Sequence, residues 1–336
     1  MLPASKPPMT DERTLYVGTD HALYRARPGD DGRWRAEGLA LAGLGGVRGL
    51  LVDRAEPRRW WACTADSGVL VTRDEGVTWR ESNEGIDRLA GWCLTRHPRS
   101  GDLWYGAEPA ALFRSGDAGA TWSACATVAE PDQPAEPPAR LRHVSLSGDV
   151  VLAAVEAAGL LRSEDRGATW TAVRDGIQGA CLATTLLPGK PEVVLASSGT
   201  GVYRSEDSGC TFAPSSEGLQ HRYVTCVVQH PDRPEVAFAA TSECGPAASA
   251  GRPEGACAAC YRSDDGGRTW RRLSGGLPDI MRPALTCAAG DPGAPDSFYV
   301  GTNDGSVWLT EDGGDSFGIA VEGIQGWVRH LLLVRR

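Results

Sequence analysis

The sequence has no apolar run long enough to cross a membrane, and its N-terminus, MLPASKPPMTDERTLYVG, has neither the apolar core nor the cleavage pattern of a secretory leader. Positive charge is not in excess, because 34 Lys and Arg face 43 Asp and Glu, which gives a net charge of -9. No glycine-rich phosphate loop opens a helix, and no Gly-x-Ser-x-Gly elbow occurs. We therefore expect a cytoplasmic, monomeric protein that binds neither nucleic acid nor membrane and has no nucleotide-binding fold.

Phenylalanine is scarce, with 5 residues, whereas tryptophan is frequent, with 11, in a chain that has 42 Gly and 22 Pro. This composition is typical of many short strands joined by tight turns, with one aromatic residue recurring in each unit. The ten cysteines of a chain without a leader are expected to be thiols. Cys93, Cys226 and Cys287 lie inside apolar strand patterns and are predicted to be core residues.

One short motif recurs six times along the chain, with Ser or Thr, Asp, Gly and an aromatic residue at fixed positions. The copies are TRDEGVTW (72–79), RSGDAGATW (114–122), RSEDRGATW (162–170), RSEDSGCTF (204–212), RSDDGGRTW (262–270) and LTEDGGDSF (309–317). The intervals between their aspartates are 43, 48, 42, 58 and 47 residues, which is the period of a four-stranded propeller blade. A degenerate copy, YRARPGDDGRW (24–34), lies one period earlier and makes seven units.

Within each unit, period-two alternation punctuated by Gly and Asp predicts four antiparallel strands, and no segment predicts a helix. The chain begins on a second-strand pattern, TLYVGTDHALYRA, and ends on GWVRHLLLVR, which matches an inner strand. We therefore predict an all-β, seven-bladed β-propeller with four-stranded blades, in which the C-terminal strand completes the first blade and closes the ring. Residues 1–13 are expected to form a disordered tail and 14–336 a single domain.

The repeated motif resembles the Asp-box, or BNR, repeat, and the chain from about residue 14 onward resembles a seven-bladed Asp-box β-propeller. That superfamily includes sialidases, xyloglucanases, sortilin-type receptors and the photosystem II assembly factor. The resemblance implies a fold and does not specify an activity. The box Ser or Thr and Asp are expected to accept hydrogen bonds from turn N–H groups, and Gly to supply a positive φ. The six aspartates are therefore interpreted as structural: Asp74, Asp117, Asp165, Asp207, Asp265 and Asp312.

Strand alternation puts the box turns on one face of the ring, and the second-to-third-strand loops and blade connections on the other. Two insertions fall on this second face, the Pro- and Glu-rich segment 127–140 and the segment 242–260. They favour a built site at the mouth of the central channel, although surface loops also tolerate insertions without any function.

Basic and aromatic residues cluster where the inner strands begin, an arrangement suited to a carboxylate, phosphate or sulfate. The predicted ligand-binding residues are Arg48, Arg88, Trp92, Arg142, His143, His221, Arg222, Arg282, Trp327 and Arg329. The same face carries acids in six middle loops, which could pair with these arginines as scaffold: Asp20, Asp66, Glu108, Glu156, Glu243 and Asp304. The sequence favours a non-catalytic propeller that binds a protein partner, a carbohydrate or a small anionic ligand.

The alternative is an enzyme acting at the same face, of glycoside hydrolase type or another hydrolase or lyase. Glycoside hydrolysis needs two carboxylates facing one cleft, for which Glu108, Glu156 and Asp279 are the candidates. The sialidase resemblance would add a Tyr nucleophile, for which Tyr223 is the candidate on the mouth side.

Three cysteines in the second insertion, Cys244, Cys257 and Cys260, have the spacing C-x12-C-x2-C. With His221 as a fourth ligand they could hold zinc or another thiophilic metal. A single disulfide, or no role, is the alternative.

Overall fold

The computed structural model of the protein describes residues 13–39, 45–127, 138–156, 158–173, 175–187 and 190–335. The predicted tail, apart from its last residue, and residues 128–137 of the first insertion lie outside this part of the chain. Every regular element in the described ranges is a β-strand. The described residues include no helix of the length and apolar character needed to cross a membrane.

The 28 strands form seven four-stranded antiparallel sheets, which we call blades 1 to 7 in chain order. From its inner to its outer strand, blade 1 contains β28 (Val328–Arg335), β1 (Arg13–Thr19), β2 (Leu23–Pro28) and β3 (Trp34–Gly38), and blade 2 contains β4 (Val47–Val52), β5 (Trp60–Thr64), β6 (Val69–Thr72) and β7 (Arg80–Glu81). In the same order, blade 3 contains β8 (Ala90–Arg96), β9 (Leu103–Glu108), β10 (Ala111–Ser115) and β11 (Ser123–Thr127), and blade 4 contains β12 (Arg140–Ser147), β13 (Val150–Glu156), β14 (Gly159–Ser163) and β15 (Thr171–Val173).

The remaining three blades have the same order. Blade 5 contains β16 (Cys181–Leu187), β17 (Lys190–Ser198), β18 (Gly201–Ser205) and β19 (Ala213–Pro214). Blade 6 contains β20 (Tyr223–Gln229), β21 (Ala237–Ser242), β22 (Ala259–Ser263) and β23 (Arg271–Leu273). Blade 7 contains β24 (Leu285–Gly290), β25 (Phe298–Thr302), β26 (Val307–Thr310) and β27 (Gly318–Val321).

The ring closes as predicted, because β28 pairs antiparallel with β1 from Arg13↔Arg335 to Thr19↔Val328. Each inner strand contacts the inner strands of the two neighbouring blades, and β28 contacts β4 and β24. The hydrophobic core lies between adjacent blades, and each cluster of buried residues draws side chains from two neighbouring sheets. Burial of these facing sheets stabilises a ring that contains no helix in its described part.

Each Asp-box is a hydrogen-bonded turn between the third and fourth strands of a blade. In blade 4, Ser163 Oγ accepts from the N–H of Gly167 at 2.8 Å, and Asp165 Oδ1 accepts from the N–H of Thr169 at 2.8 Å. The chain enters the left-handed region at two consecutive residues, Arg166 with φ 58° and Gly167 with φ 85°. The box serine and aspartate thus accept hydrogen bonds within the turn, and a non-glycine residue shares the left-handed conformation with the glycine.

The left-handed residue of the box also joins neighbouring blades, because its carbonyl points back toward the preceding blade. Arg162 is the residue before the box serine of blade 4. Its Nε donates to the carbonyl of Ser208 in blade 5 at 2.9 Å. Equivalent bonds run from Arg114 to the carbonyl of Arg166, from Arg204 to that of Gly266 and from Arg262 to that of Gly313. In blade 2 the donor is Trp61 Nε1, which donates to the carbonyl of Ala118 in blade 3. The repeated Arg-Ser pair thus forms a series of clasps between blades.

A glycine after the outer strand permits the next blade to approach closely. Gly176 has φ 100°, and a Cβ built on it would lie 1.7 Å from the carbonyl oxygen of Phe212, the box aromatic of blade 5. Gly218 has the same relation to Trp270 in blade 6, at 1.9 Å. No side chain fits at either position, which explains the glycine.

Candidate functional site

The inner strand of every blade carries a β-bulge near its first residue, on the face opposite the box turns. In each ladder between first and second strands, one inner-strand residue is skipped. The skipped residues are Arg329, Arg48, Trp92, Arg142, Leu182, Thr225 and Thr286, in blades 1 to 7. Because a bulge re-aims its side chain, all seven line one central cavity, and we call them the bulge ring.

The cavity has a volume of about 540 Å³ and is lined by all seven inner strands. Its mouth is chemically divided, since blades 1 to 4 contribute three arginines and a tryptophan to the bulge ring, and blades 5 to 7 contribute leucine and two threonines. A cavity of this size is in the range of small-ligand sites. One side of the bulge ring is therefore basic and the other uncharged.

On the basic side of the mouth, three arginines lie close to the ring of Trp92. The guanidinium carbon of Arg48 lies 3.8 Å from its ring centroid, and those of Arg140 and Arg142 lie at 4.8 and 5.2 Å. The indole N–H donates to Glu108 Oε2 at 2.7 Å. Three cations around one ring leave little of its face for stacking on a sugar.

Two glutamates at the ends of second strands hold part of this cluster in ion pairs. Arg140 Nε lies 3.0 Å from Glu108 Oε2, and its NH1 lies 3.6 Å from Glu156 Oε2. Arg142 NH1 donates to the same Glu156 oxygen at 3.2 Å. The predicted pairing of acids with arginines at this face therefore occurs for these residues.

Arg48 differs, because it has no carboxylate within 4 Å among the described residues. Its NH1 donates to the carbonyl of Gly91 at 3.1 Å, and its Nε is buried without a hydrogen-bond partner in the described structure. Burial lowers the pKa of Arg48, the nearby charge of Glu108 raises it in part, and the charges of Arg140 and Arg142 lower it further. The folded protein thus holds a cation whose charge is only partly compensated.

Arg329, in the adjacent blade, has a similar environment. It lies 4.6 Å from the ring centroid of Trp327, its Nε is buried without a partner in the described structure, and Asp20 is 3.9 Å away. Burial, followed by the charge of Arg48, lowers its pKa to about 10. Arg329 therefore stays charged at neutral pH, in a site that disfavours the charge.

Two histidines follow bulge residues in their strands and also line the cavity. Burial lowers the pKa of His143 and of His330 to about 4, so both are neutral at pH 7. These two histidines therefore add no positive charge to the cavity at pH 7.

The structure brings together part of the predicted ligand set. Arg48, Trp92, Arg142, His143 and Arg329 line the cavity. The cavity lining does not include Arg88, His221, Arg222, Arg282 or Trp327, and Arg222 and Arg282 are exposed. Arg140 was not recognised in the sequence, although its place two residues before Arg142 puts it on the same side of β12.

The candidate catalytic residues have separate surroundings. Glu108 and Glu156 share Arg140, whereas the backbone carbonyl of Asp279 accepts from Arg272 at 3.0 Å, beside a small cavity of about 120 Å³ between blades 6 and 7. Burial raises the pKa of the Tyr223 phenol, and Arg142 lowers it.

The cysteines of the second insertion are not gathered around one point. Cys260 is buried in the core cluster of blades 6 and 7, and burial raises the pKa of its thiol to about 12. Cys257 bonds to the carbonyl of Glu254, and no group of three His, Cys, Asp or Glu side chains in the described residues could hold a metal. Cys244, Cys257, Cys260 and His221 therefore do not form such a group in the described structure, and metal binding by them stays a prediction. The three strand cysteines lie on the channel wall with their thiols against the core, as predicted.

Residues 261–272, the last strands and box of blade 6, match the family described as the BNR/Asp-box repeat. The chain folds as a seven-bladed β-propeller, and its sixth blade carries a repeat of this family. No curated protein sequence matches this propeller.

Solved propellers of similar fold differ widely in function. A GH74 xyloglucanase from Xanthomonas campestris is 20% identical, with a TM-score of 0.62, over 81% of this chain and 45% of its own. A YCF48 structure described as bound to D1 peptide is 17% identical, with a TM-score of 0.58, over 88% of this chain and 86% of its own. YCF48 from Cyanidioschyzon merolae is 15% identical, with a TM-score of 0.59, over 84% of this chain and 86% of its own. The propeller spans less than half of the xyloglucanase, and at these identities the likeness shows the fold alone.

Proposed function

We propose that this propeller is a non-catalytic binding protein that receives an anionic ligand, or an anionic group of a partner, at the channel mouth opposite the Asp-boxes. The observation that carries the proposal is Arg48, a cation stacked on Trp92 at 3.8 Å with no carboxylate within 4 Å in the described structure. An anion entering the cavity would supply the missing partner in a partly desolvated site, where a charge-assisted hydrogen bond is strong.

The arrangement favours an anion over a neutral sugar. Aromatic faces are the usual platforms for sugar rings, and the one aromatic ring of the bulge ring, that of Trp92, already lies between guanidinium groups. The YCF48 structure bound to a peptide supports a binding role for a propeller of this length. We expect the ligand to enter by its charged end.

A calorimetric titration with citrate, at constant ionic strength in chloride, tests this function. Thr225→Trp would fill the mouth from the bulge ring, and Val77→Trp, at an exposed position in the box turn of blade 2, is the matched control. We expect citrate to bind the wild type and Val77→Trp, and binding to be lost in Thr225→Trp. Equal binding by all three proteins would place the ligand elsewhere and overturn the proposal.

A hydrolase acting at the same face is the second candidate, because Glu108 and Glu156 converge on one guanidinium, that of Arg140. Against it, each carboxylate already accepts a hydrogen bond from an arginine, whereas glycoside hydrolysis needs two carboxyl groups that face the substrate. Incubation with xyloglucan and measurement of reducing ends is the test. Release of sugar by the wild type, abolished in Glu108→Gln, would replace binding by catalysis as the function.

A further inference from the structure

We propose that Arg48 and Arg329 together form the oxyanion site of the mouth, which takes the carboxylate or phosphate of a small organic ligand whose uncharged part extends toward blades 6 and 7. This inference rests on the proposed function and specifies where the anion lies and which class of ligand fits.

The two arginines occupy equivalent positions in adjacent blades. Each is the bulge residue of its inner strand, and β28 and β4 are neighbours in the ring. Each guanidinium lies against a tryptophan, Arg48 at 3.8 Å from Trp92 and Arg329 at 4.6 Å from Trp327. The bulge and the aromatic contact restrict both side chains, so that less conformational entropy is lost when they bind.

Among the arginines that line the cavity, Arg48 and Arg329 have the least compensated charges. Arg140 and Arg142 have carboxylate oxygens at 3.0 and 3.2 Å, whereas Arg329 has one at 3.9 Å and Arg48 has none within 4 Å in the described structure. The Nε atoms of both Arg48 and Arg329 are buried without partners among the described residues. One oxyanion placed between the two guanidiniums would pair with both and offset their mutual repulsion.

The opposite side of the mouth determines what else the ligand carries. Blades 6 and 7 place Thr225 and Thr286 in the bulge ring, and both hydroxyls donate to backbone carbonyls, so that their remaining capacity is as acceptors. Leu182 completes this side in blade 5. A second anionic group there would face acceptors and an alkyl chain, so a ligand with one charged end and a neutral body fits best.

The test measures thermal stability and affinity at constant ionic strength, with acetate and inorganic phosphate titrated separately into chloride buffer. The proteins are the wild type, Arg48→Gln, Arg329→Gln and Arg142→Gln, with Arg222→Gln as the control at an exposed arginine outside the cavity. We expect at least one anion to raise the Tm of the wild type and of Arg222→Gln, and the stronger of the two identifies the ligand as a carboxylate or a phosphate.

For Arg48→Gln and Arg329→Gln we expect a Tm without added anion close to that of the wild type, because the lost contact with tryptophan is offset by the removal of one of two repelling charges. Their affinity should fall at least tenfold. Arg48→Lys, which keeps the charge and loses the planar fork, should bind with intermediate affinity. Weakened binding in variants that retain their Tm cannot be attributed to unfolding.

Two outcomes overturn the inference, and only the second of them also overturns the proposed function. If only Arg142→Gln loses affinity, the mouth binds anions and the proposed function survives, but the site is not the Arg48–Arg329 pair. If neither anion changes the wild-type protein, and citrate also fails to bind, the inference and the proposed function fail together.

Discussion

The guanidinium of Arg48 lies over the ring of Trp92, 3.8 Å from its centroid, although the two residues belong to different blades. The same indole donates to Glu108, which also accepts from Arg140. Trp92 thus links this acid to a cation that has no carboxylate within 4 Å among the described residues. Trp92 therefore determines the geometry of the basic side of the mouth.

Replacing Trp92 with leucine should weaken both the fold and the site. Loss of three cation–ring contacts and one hydrogen bond is expected to lower the free energy of unfolding by about 2 kcal/mol, and anion affinity should fall as Arg48 loses its support. Urea unfolding and anion titration measure the two effects. Trp92→Phe, which keeps a ring and loses the N–H, should retain most of the affinity. Unchanged affinity in Trp92→Leu would show that Arg48 does not depend on the stacking.

Replacing Arg162 with methionine removes the clasp between blades 4 and 5. Arg162 is only 8% exposed and donates to the carbonyl of Ser208, so we expect a loss of about 2 kcal/mol in the free energy of unfolding. Arg166→Met is the control, because the side chain of Arg166 is 53% exposed and pairs with Asp149 at the surface. Surface pairs contribute less than about 1 kcal/mol. Equal losses in the two variants would contradict the clasp.

Alanine at Gly176 should destabilise the ring more than any of these changes. Its Cβ would lie 1.7 Å from the carbonyl oxygen of Phe212 at a positive φ, and we expect a cost of about 3 kcal/mol. Gly318→Ala is the comparison, since a Cβ there meets nothing within 4 Å. Thermal unfolding of the two variants distinguishes blade contact from a general effect of adding a methyl group in a strand.

Acid should weaken the protein in two stages. His143 and His330 have pKa values of about 4, below the ordinary value of 6.5, so the folded state binds fewer protons and stability falls from about pH 6.5 to 4. The box aspartates, Asp165 among them, have pKa values near 2, so their stabilisation is present above about pH 4 and is lost from pH 4 to 2.

Urea unfolding at a series of pH values measures this dependence. His143→Gln should flatten the first stage only, and Asp165→Asn should reduce the second. A stability that is constant from pH 7 to 4 would contradict neutral buried histidines.

The fold was predictable because its signals are local and repeated. The box sequence sets a turn through Ser163 and Asp165 whatever lies around it, and the two chain ends each carried the pattern of an incomplete blade. The clasp was harder to predict, because Arg162 bonds to a carbonyl 46 residues away, and the sequence does not show where a backbone group points.

The site was predictable only in part, for physical reasons. The sequence shows an arginine at the start of an inner strand. The bulge that directs the side chains of Arg48 and Arg329 toward the same cavity depends on the pairing register of the first and second strands, and not on residue type. For Cys260, by contrast, the sequence suggested a role that its position in the fold does not favour. Its spacing from Cys257 suggested a metal ligand, but its position in β22 buries its side chain between two blades. The metal hypothesis remains a prediction for metal analysis of wild type and Cys257→Ser.

The pairing of Arg13 with Arg335 places the first and last described residues side by side at the box face, where other blades have a turn between their first and second strands. A fusion partner, a fluorophore or a surface tether attached directly at residue 13 or residue 335 would thus emerge a full strand length away from the mouth. Residues 13 and 335 could also be joined by a short linker and the chain reopened in an exposed turn of another blade, to give a circular permutant with the same ring.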